Sequence, residues 1–266
     1  MTFKMVALDI DGTLVSGYNS MTKEAYDAVH AVRQHGSEIV IATGRSMSGV
    51  WDILRQLDLE SGIAVASNGA LVFRYDKTDY ELLHVVTFDA REVVHRIVKE
   101  MPDAIVAVEE IGVGFRVNRP FPDGEVNGEM IVQTIDELVA KPVTRVVIRN
   151  PDIDNHEFNA IVDGIGITGT NYYVGYSSWL DLAPTDVSKA SGLQYVAKRR
   201  GIEASDVLAI GDGYNDVEML QWAGWGVAMG DAPDHVKAAA NAVTGSVAED
   251  GVVAELSRHF PILKKS

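Results

Sequence analysis

The chain has 266 residues, of which 47% are hydrophobic and 23% charged, a balance that excludes a disordered chain and predicts a sizeable folded core. Lys and Arg number 23 against 38 Asp and Glu, a formal charge of −15, which argues against nucleic acid or an anionic membrane as the main partner. There is no cysteine, so disulfides and thiolate metal sites are excluded.

The amino-terminal residues MTFKMVALDIDG lack the apolar length of a signal peptide, because acidic residues interrupt them early. No stretch approaches the roughly 20 apolar residues that a membrane span needs. We therefore expect a cytoplasmic protein with no membrane partner. The sequence leaves its oligomeric state open.

Short apolar runs without polar alternation indicate strands that are buried on both faces of a parallel sheet. They are Met5–Leu8, Ile39–Ala42, Val207–Ile210 and Val227–Met229. Helical spacing of apolar residues predicts helices over Thr22–His35, Ser48–Leu59 and Ser188–Arg200. Strands that alternate with helices in this way are typical of an α/β fold.

The middle of the chain, from about Leu83 to Asp181, has a different pattern. It contains alternating segments typical of hairpin strands: His84–Phe88, Ala104–Glu110, Gly114–Asn118, Thr144–Asn150 and Asn171–Leu182. Helical patterns cover Arg91–Met101 and His156–Asp163. We predict a Rossmann-like α/β core with a parallel sheet, made of residues 1–82 and 183–266, and an α+β domain inserted at residues 83–182.

Polar clusters follow three of the predicted core strands. They are Asp9-Ile10-Asp11-Gly12-Thr13, Thr43-Gly44-Arg45 and Gly211-Asp212-Gly213-Tyr214-Asn215-Asp216, and Lys189 opens the helix before the third strand. In open parallel sheets, ligands bind outside the carboxyl ends of the strands. We therefore expect these clusters to converge on one site, although they lie far apart in the sequence.

The residue types in these clusters suit a divalent metal beside a phosphate. Asp9, Asp212 and Asp216 offer the hard oxygen ligands that Mg²⁺ takes in proteins. Lys189 adds a positive charge, and Thr43 adds a hydroxyl donor. Backbone N–H groups can approach an anion closely at the small residues Gly12, Thr13 and Gly44. Together these groups predict a phosphoryl-binding site with Mg²⁺ as the cofactor.

Asp9 and Asp11 are separated by one residue at the end of the first strand. Residues i and i+2 of an extended segment point to the same side, about 7 Å apart. One carboxylate can attack phosphorus and form an aspartyl-phosphate, while the other protonates the leaving oxygen and later deprotonates water. The spacing suits this division of labour.

Four motifs, taken in order, resemble those of the haloacid dehalogenase superfamily of phosphohydrolases. They are DIDGTL, IATGR, Lys189 and GDGYND. The stretches ASNGALV and VAMGDAPDHVKAAANAVTGSVAEDGV, together with the inserted domain, resemble the Cof-type sugar-phosphatase branch, in which the insertion is a cap domain. The resemblance covers essentially the whole chain.

The resemblance implies a role for each motif residue. Asp9 would be the nucleophile, and Asp11 the general acid and base, with its backbone carbonyl as a metal ligand. Asp212 would bind Mg²⁺, with Asp216 in or beside the coordination shell. The remaining implied roles are phosphate binding for Thr43 and Lys189, orientation of Lys189 or the phosphate for Asn215, and places at the substrate rim for Arg45 and Asn68. Asn68, within Ser-Asn-Gly, could instead belong to a hairpin turn. Ala190 and Asp231 depart from the usual pattern of the branch, which has glycine and asparagine there.

These features lead to a Mg²⁺-dependent phosphomonoester hydrolase as the main hypothesis, with a small phosphorylated metabolite, such as a sugar phosphate, as substrate. A phosphomutase is the alternative, since related capped proteins move phosphate between hydroxyls. A receiver-type signalling domain is disfavoured because the strand at Ile39–Ala42 ends in Thr43 rather than in a phospho-acceptor aspartate. A dehalogenase would need neither a metal nor an acid at position 11. A phosphate-binding protein without catalysis has no missing motif residue to support it.

The determinants of the substrate are expected in the inserted domain. Arg116, Arg119 and Arg145 are candidates for substrate contacts or plain surface charges. An aromatic group could form hairpin and core contacts or line a sugar pocket: Tyr172, Tyr173, Tyr176 and Trp179. The sequence does not decide between these alternatives.

Overall fold

The computed structural model describes residues 3–17, 20–77, 79–175 and 178–260. The chain divides into two compact units. The first comprises Met1–Gly44, Val50–His84 and Ser188–Ser266, and the second comprises Arg45–Gly49 and Val85–Val187. The sequence predicts that the chain leaves the core at residue 83 and returns at residue 183, and it gives no sign of the short excursion at 45–49.

The elements follow one another in the order that an α/β chain with an insertion requires. Up to the insertion they are β1 (Met5–Leu8), α1 (Lys23–Gln34), β2 (Glu38–Ala42), α2 (Met47–Gln56), β3 (Ser61–Ala66), β4 (Leu71–Asp76) and β5 (Asp79–Val85). Those of the second unit are α3 (Arg91–Glu100), β6 (Ile105–Glu110), β7 (Gly114–Val117), β8 (Glu129–Val132), α4 (Ile135–Leu138), β9 (Val146–Arg149), α5 (Asn155–Ile165), β10 (Asn171–Val174) and β11 (Trp179–Ala183). The chain ends with α6 (Lys189–Arg200), β12 (Val207–Gly211), α7 (Val217–Trp222), β13 (Trp225–Ala228), α8 (Asp234–Ala239), β14 (Ala242–Val243) and α9 (Gly251–His259).

Within the described residues, the strands of the first unit form one eight-stranded sheet in the order β14-β13-β12-β1-β2-β3-β4-β5. The pairs from β14 to β3 are parallel, and β4 is antiparallel to β3. Because β1 lies between β12 and β2, the carboxyl ends of these three strands meet at one edge of the sheet. This placement confirms the predicted α/β class and brings the polar clusters together.

Local sequence signals explain where the helices beside this sheet begin and end. The Thr22 hydroxyl accepts a hydrogen bond from Ala25 N at 3.1 Å and starts α1, while Gly36, with a φ of +87°, follows its end. Ser188 caps α6, and Gly201 ends that helix in the left-handed conformation. Apolar side chains of α6 pack on the strands in one core cluster, so the position of Lys189 at the start of α6 is fixed by packing.

The described strands of the second unit form a six-stranded sheet in the order β10-β11-β9-β6-β7-β8. Its pairs are antiparallel except for the parallel pair of β7 and β8. One apolar cluster packs α3 and α5 against the sheet, and a smaller one contains Phe115, Phe121 and Val147. This is the α+β organisation predicted for the insertion.

Some predicted elements differ from the structure. The segment His84–Phe88 was expected to be a strand of the insertion, but β5 ends at Val85 and Phe88 makes only an isolated bridge to Val143. By contrast, the segment Asn171–Leu182 holds the antiparallel strands β10 and β11, as the predicted hairpin pairing requires. Among the described residues we find no helix whose length and apolar character would let it cross a membrane.

Candidate active site

Asp9 leaves β1 at the carboxyl edge of the sheet, where its N–H donates to Ile210 O at 3.1 Å. The loop that follows is closed on Ile10, whose carbonyl accepts hydrogen bonds from the N–H groups of Thr13, Leu14 and Val15 at 3.3, 2.9 and 3.0 Å. The Asp9 side chain is 4% exposed, whereas Asp11 is exposed. The two carboxylates therefore differ in environment, as separate roles require.

Gly12 has a φ of +78°, and a Cβ there would overlap Asp212 Oδ2. Glycine thus allows the loop after β1 to lie directly against the loop after β12. Gly12 N donates to Val15 O at 3.0 Å, and Thr13 N donates to Ile10 O. Both amides thus close the loop, and the phosphate-binding role predicted for Gly12 and Thr13 stays a prediction.

Lys189 is the first residue of α6 and follows the N-cap Ser188. Its Nζ donates to Asp9 Oδ1 and to Asp216 Oδ1, both at 2.6 Å, and the side chain is 1% exposed. Burial opposes the ammonium charge, but the Asp216 and Asp9 carboxylates outweigh burial and raise the pKa of Lys189 above its ordinary value. Lys189 is therefore a fixed positive charge beside Asp9.

Asp216 is completely buried and uses both oxygens. Oδ1 accepts from Lys189, and Oδ2 accepts from Asp212 N at 2.9 Å and Gly213 N at 2.8 Å. Asp216 thereby holds the loop after β12 and the lysine in one arrangement. Of the two positions predicted for it, this bonding favours a place beside the metal shell.

Asp9, Asp212 and Asp216 each offer a carboxylate oxygen, and these oxygens lie within 4.8 Å of one another. Burial, together with repulsion from neighbouring carboxylates, raises the pKa of Asp9 well above its usual range, although Lys189 opposes the shift. Burial and the Asp216 charge raise the pKa of Asp212 to about 7. One lysine cannot balance three carboxylates, and hard oxygen donors suit a small divalent cation, so the residues present fit Mg²⁺.

Thr43 follows β2, is 1% exposed, and donates its N–H to Val65 O at 2.9 Å. Its carbonyl accepts from Asn68 N at 3.1 Å, which fixes the turn after β3 beside the site. Gly44 is half-buried, and a Cβ there would lie 3.0 Å from Asn68 Oδ1 and 3.2 Å from Asn215 Nδ2. The predicted phosphate residues Thr43 and Gly44 thus lie beside the two asparagines.

Asn68 lies in the tight connection between β3 and β4. Ser67, Asn68 and Gly69 all have positive φ, at +51°, +54° and +98°, and the first two are strained because they carry a Cβ. Asn68 is 2% exposed, and its Oδ1 accepts from Asn215 Nδ2 at 2.8 Å. A Cβ at Gly69 would overlap Ser188 O, so the turn also packs against the start of α6.

The sequence allows two interpretations of Asn68, a hairpin turn at Ser-Asn-Gly and a place at the substrate rim. The structure has the turn, in which asparagine and glycine tolerate the left-handed conformation. The hydrogen bond from Asn215 was not predicted, and the place at the rim stays a prediction. Arg45 is half-buried and belongs to the second unit, so its role at the rim stays a prediction.

The structure shows the surroundings of Ala190 and Asp231, the two residues that differ from the usual pattern of the Cof-type branch. Ala190 is 4% exposed and packs in the core of the first unit. Asp231 is exposed, and its charge adds to the repulsion that raises the pKa of Asp212.

The arginines proposed as substrate contacts have acidic partners within the second unit. Arg145 Nε lies 2.5 Å from Asp181 Oδ1, and Arg116 Nε lies 2.9 Å from Glu110 Oε2. Arg119 Nη2 is 3.7 Å from Asp103 Oδ1. These three ion pairs indicate a structural role for the arginines.

Of the aromatic residues considered for a sugar pocket, Tyr176 lies outside the described residues.

A family model described as haloacid dehalogenase-like hydrolase matches residues 6–256, and so covers all the residues of the site. The chain belongs to this family. The resemblance read from the four motifs is therefore confirmed, and the Asp9, Thr43, Lys189 and Asp212 cluster lies within the matched haloacid dehalogenase-like region.

Relatives of this haloacid dehalogenase-like hydrolase carry phosphatase names. YxeH of Bacillus subtilis (strain 168), whose phosphatase name is provisional, is 29% identical over 262 residues, which cover 94% of this chain and 96% of YxeH. The 5-amino-6-(5-phospho-D-ribitylamino)uracil phosphatase YitU of the same organism is 26% identical over 273 residues, covering 97% of this chain and 98% of YitU. The family and these relatives identify the chain as a phosphatase.

Solved structures of phosphatases from the same superfamily share the fold of this chain. The haloacid dehalogenase subclass IIB sugar phosphatase BT4131 is 27% identical, with a TM-score of 0.80 over 98% of this chain and 100% of that chain. A phosphatase of the same superfamily from Bacteroides thetaiotaomicron, BT1666, is 28% identical, with a TM-score of 0.78 over 98% of this chain and 96% of that chain.

Proposed function

We propose that this enzyme is a Mg²⁺-dependent phosphomonoester hydrolase that acts on small phosphorylated metabolites, sugar phosphates among them, through an aspartyl-phosphate. The observation that carries the proposal is the double contact of Lys189 with Asp9 and Asp216 beside Asp212. A buried carboxylate held by a cation at a strand end is equipped to act as a nucleophile on a phosphoryl group. Relatives named for a ribitylamino-uracil phosphate and for sugar phosphates support the substrate class.

Asp9 would hold the metal through a carboxylate oxygen, together with Asp212, and Mg²⁺ when bound would balance the negative charge of the phosphoryl group. Lys189 orients Asp9 through Oδ1 and would neutralise part of the negative charge on the phosphoryl oxygens. Thr43 would donate its hydroxyl to a phosphate oxygen. Asp216 keeps Lys189 and the amides of Asp212 and Gly213 in place.

In the first step an oxygen of Asp9 forms a bond to phosphorus while the bond between phosphorus and the leaving oxygen breaks. Asp11 gives its proton to that leaving oxygen. In the second step water attacks the aspartyl-phosphate, Asp11 takes a proton from the water, and the bond between Asp9 and phosphorus breaks. The exposure of Asp11 supports this role, because its proton can exchange with solvent between turnovers.

The test compares the wild type with Asp9→Asn on a panel of phosphorylated metabolites, in Mg²⁺ and in EDTA, measuring phosphate release. We expect release by the wild type to require Mg²⁺ and release by the variant to fall by at least about 10³-fold. Asp27→Asn, the same change at a half-buried position of α1 that pairs with Lys23, is the matched control and should keep full activity.

Equal turnover by Asp9→Asn would overturn the nucleophile assignment. A wild type that isomerises a sugar phosphate without releasing phosphate would instead be the alternative, a phosphomutase. A stable phospho-enzyme without turnover would place the chain in the receiver-like signalling class.

We also propose a cytoplasmic location without nucleic-acid or membrane partners, in line with the charge of −15.

A further inference from the structure

A cleft, distinct from the site around Asp9, lies at the opposite end of the parallel strands. It has a volume of about 580 Å³ and is built entirely from the first unit. Its walls come from the end of α1, the starts of β2 and β3, the end of β4 and the end of α6. The volume lies within the range of about 300–1,000 Å³ that small-molecule sites occupy.

This cleft is separate from the phosphoryl site. β2 runs from Glu38, which lines the cleft, to Ala42, and Thr43 of the phosphoryl site follows directly. A strand of this length spans roughly 16 Å. A ligand in the cleft would therefore not touch the catalytic carboxylates.

Three arginines and two carboxylates line the cleft: Arg33, Arg74, Arg200, Glu38 and Asp76. Arg200 pairs with Glu38, at 3.0 Å from Nε and 2.8 Å from Nη2 to Oε1, and Arg74 pairs with Glu81. Within the described ranges, the contact found for the Arg33 guanidinium is a long one, 3.4 Å from Nη2 to Ser61 O. Arg33 is half-buried, so its charge faces the cleft without a carboxylate partner among the described residues.

Tyr75 supplies a second polar group. Its side chain is 2% exposed, and among residues 3–17, 20–77, 79–175 and 178–260 we find no hydrogen-bond partner for its hydroxyl. Burial raises the pKa of Tyr75 to about 12, so the hydroxyl keeps its proton and can donate. A Cβ on Gly62 would lie 2.6 Å from this hydroxyl, and the missing side chain leaves room beside it.

Helix ends explain part of this arrangement. Arg33 and Arg200 lie in the last turns of α1 and α6, where basic side chains stabilise the negative end of the helix dipole. That preference does not require a cleft, a tyrosine hydroxyl without a hydrogen-bond partner among the described residues, or a third arginine on β4. These features together have the composition of an anion site.

We propose that this cleft binds a small metabolite through a tetrahedral oxyanion, a phosphate or sulfate group, with Arg33 and the Tyr75 hydroxyl as the main contacts. Arg200 and Arg74 lie beside these contacts and would offset the negative charge of Glu38 and Glu81, with which they pair. Because the protein carries a net charge of −15, such a ligand needs a local cluster of cations. The cleft meets that need independently of the reaction at Asp9.

Inorganic sulfate is the probe, because it is tetrahedral and cannot be hydrolysed. Equilibrium dialysis with radiolabelled sulfate, in EDTA and at constant ionic strength set with NaCl, measures its dissociation constant for the full chain. We expect Arg33→Gln to weaken sulfate binding at the cleft at least tenfold, and Tyr75→Phe at least threefold. Thermal unfolding verifies that both variants are folded, and the Phe change retains the buried ring.

Arg199→Gln is the matched control, because Arg199 is an exposed neighbour of Arg200 on α6 that loses the same charge without lining the cleft. It should bind sulfate as the wild type does. Hydrolysis of p-nitrophenyl phosphate, and its inhibition by sulfate, should be unchanged in the three variants, which separates the cleft from the phosphoryl site. Unchanged binding by Arg33→Gln, or an equal loss in Arg199→Gln, would refute the site.

Discussion

Burial and the balance of charge around Lys189 determine the pKa values of Asp9 and Asp212 at the site. Three carboxylates lie within 4.8 Å of one another with one buried ammonium between two of them. Like charges at this range are costly unless a proton or a cation is bound. The raised pKa values of Asp9 and Asp212 express that cost in the metal-free protein.

The repulsion between the carboxylates predicts how the free energy of unfolding depends on pH. The folded protein raises the pKa of Asp212 from 3.8 to about 7, so between these values it binds more protons than the unfolded chain does. Stability in EDTA should therefore fall as the pH rises from about 4 to 7, and we expect the thermal midpoint to fall over that range. Saturating Mg²⁺ should reduce the fall, because a bound cation replaces the proton.

Asp212→Asn removes the titrating group and should flatten the decline in EDTA while abolishing Mg²⁺-dependent activity. Asp27→Asn, on the surface of α1, should leave the pH profile unchanged. A decline of equal steepness in Asp212→Asn would show that other groups cause it.

At this scale, the sequence predicts the residues but not all their bonds. Asp9, Thr43, Lys189 and Asp212 could be located because each lies where a buried strand ends or a helix begins. The complete use of both Asp216 oxygens depends on contacts between a helix and a loop that are distant in sequence. The hydrogen bonds that the Gly12 and Thr13 amides make within their loop could not be predicted from the motif either.

At the scale of elements, the connection between β3 and β4 is the clearest case of strain beside the site. Ser67 and Asn68 both adopt positive φ in a buried turn, which costs of order 1–3 kcal/mol per residue. Such strain persists where the surroundings fix it, and here Thr43, Asn215 and the start of α6 do so. We infer that the turn positions Asn215.

Two substitutions at Asn68 separate this positioning role from a purely structural one. Asn68→Gly keeps the left-handed conformation without strain but removes the acceptor of Asn215 Nδ2, so we expect normal stability with about a tenfold loss in kcat. Asn68→Ala should lose the same activity and also about 1 kcal/mol of stability, because alanine is strained at positive φ. Thermal unfolding and steady-state kinetics on one substrate measure both. If Asn68→Gly keeps full kcat, the turn has no positioning role.

The strand bounds show why hydrophobic patterns predicted the strands most accurately in the parallel part of the sheet. β1, β2 and β12 are continuous apolar runs, and these were predicted within one or two residues of their observed bounds. β5 is an edge strand, with Tyr80 and Leu82 about two-fifths exposed, so its composition resembles that of a loop. The one-sided burial of an edge strand weakens the pattern that identifies it.

At the scale of the whole molecule, each unit has its own hydrophobic core among the described residues. One large cluster joins the first-unit sheet to α6, α7 and α8, and the clusters of the second unit draw on that unit alone. Separate cores make separate cooperative unfolding possible.

Phe158→Ala tests this separation, because Phe158 is fully buried in the core of the second unit. We expect a loss of about 3–5 kcal/mol in that unit, seen by calorimetry as a transition that moves to lower temperature while a second transition remains. Asn159→Ala, at an exposed neighbouring position on α5, should leave the trace unchanged. A single transition that moves as a whole would show that the two cores unfold together.

The short excursion of the chain at residues 45–49 has a consequence for recombination between members of the family. Met47 N donates to the buried Glu109 Oε1 at 3.1 Å, and a Cβ on Gly49 would lie 2.8 Å from Asn127 Oδ1, so this segment is fitted to the second unit. A chimaera that exchanges residues 85–187 alone would separate Glu109 from its partner amide. Successful exchanges, in the laboratory or in evolution, should therefore carry two pieces of sequence together.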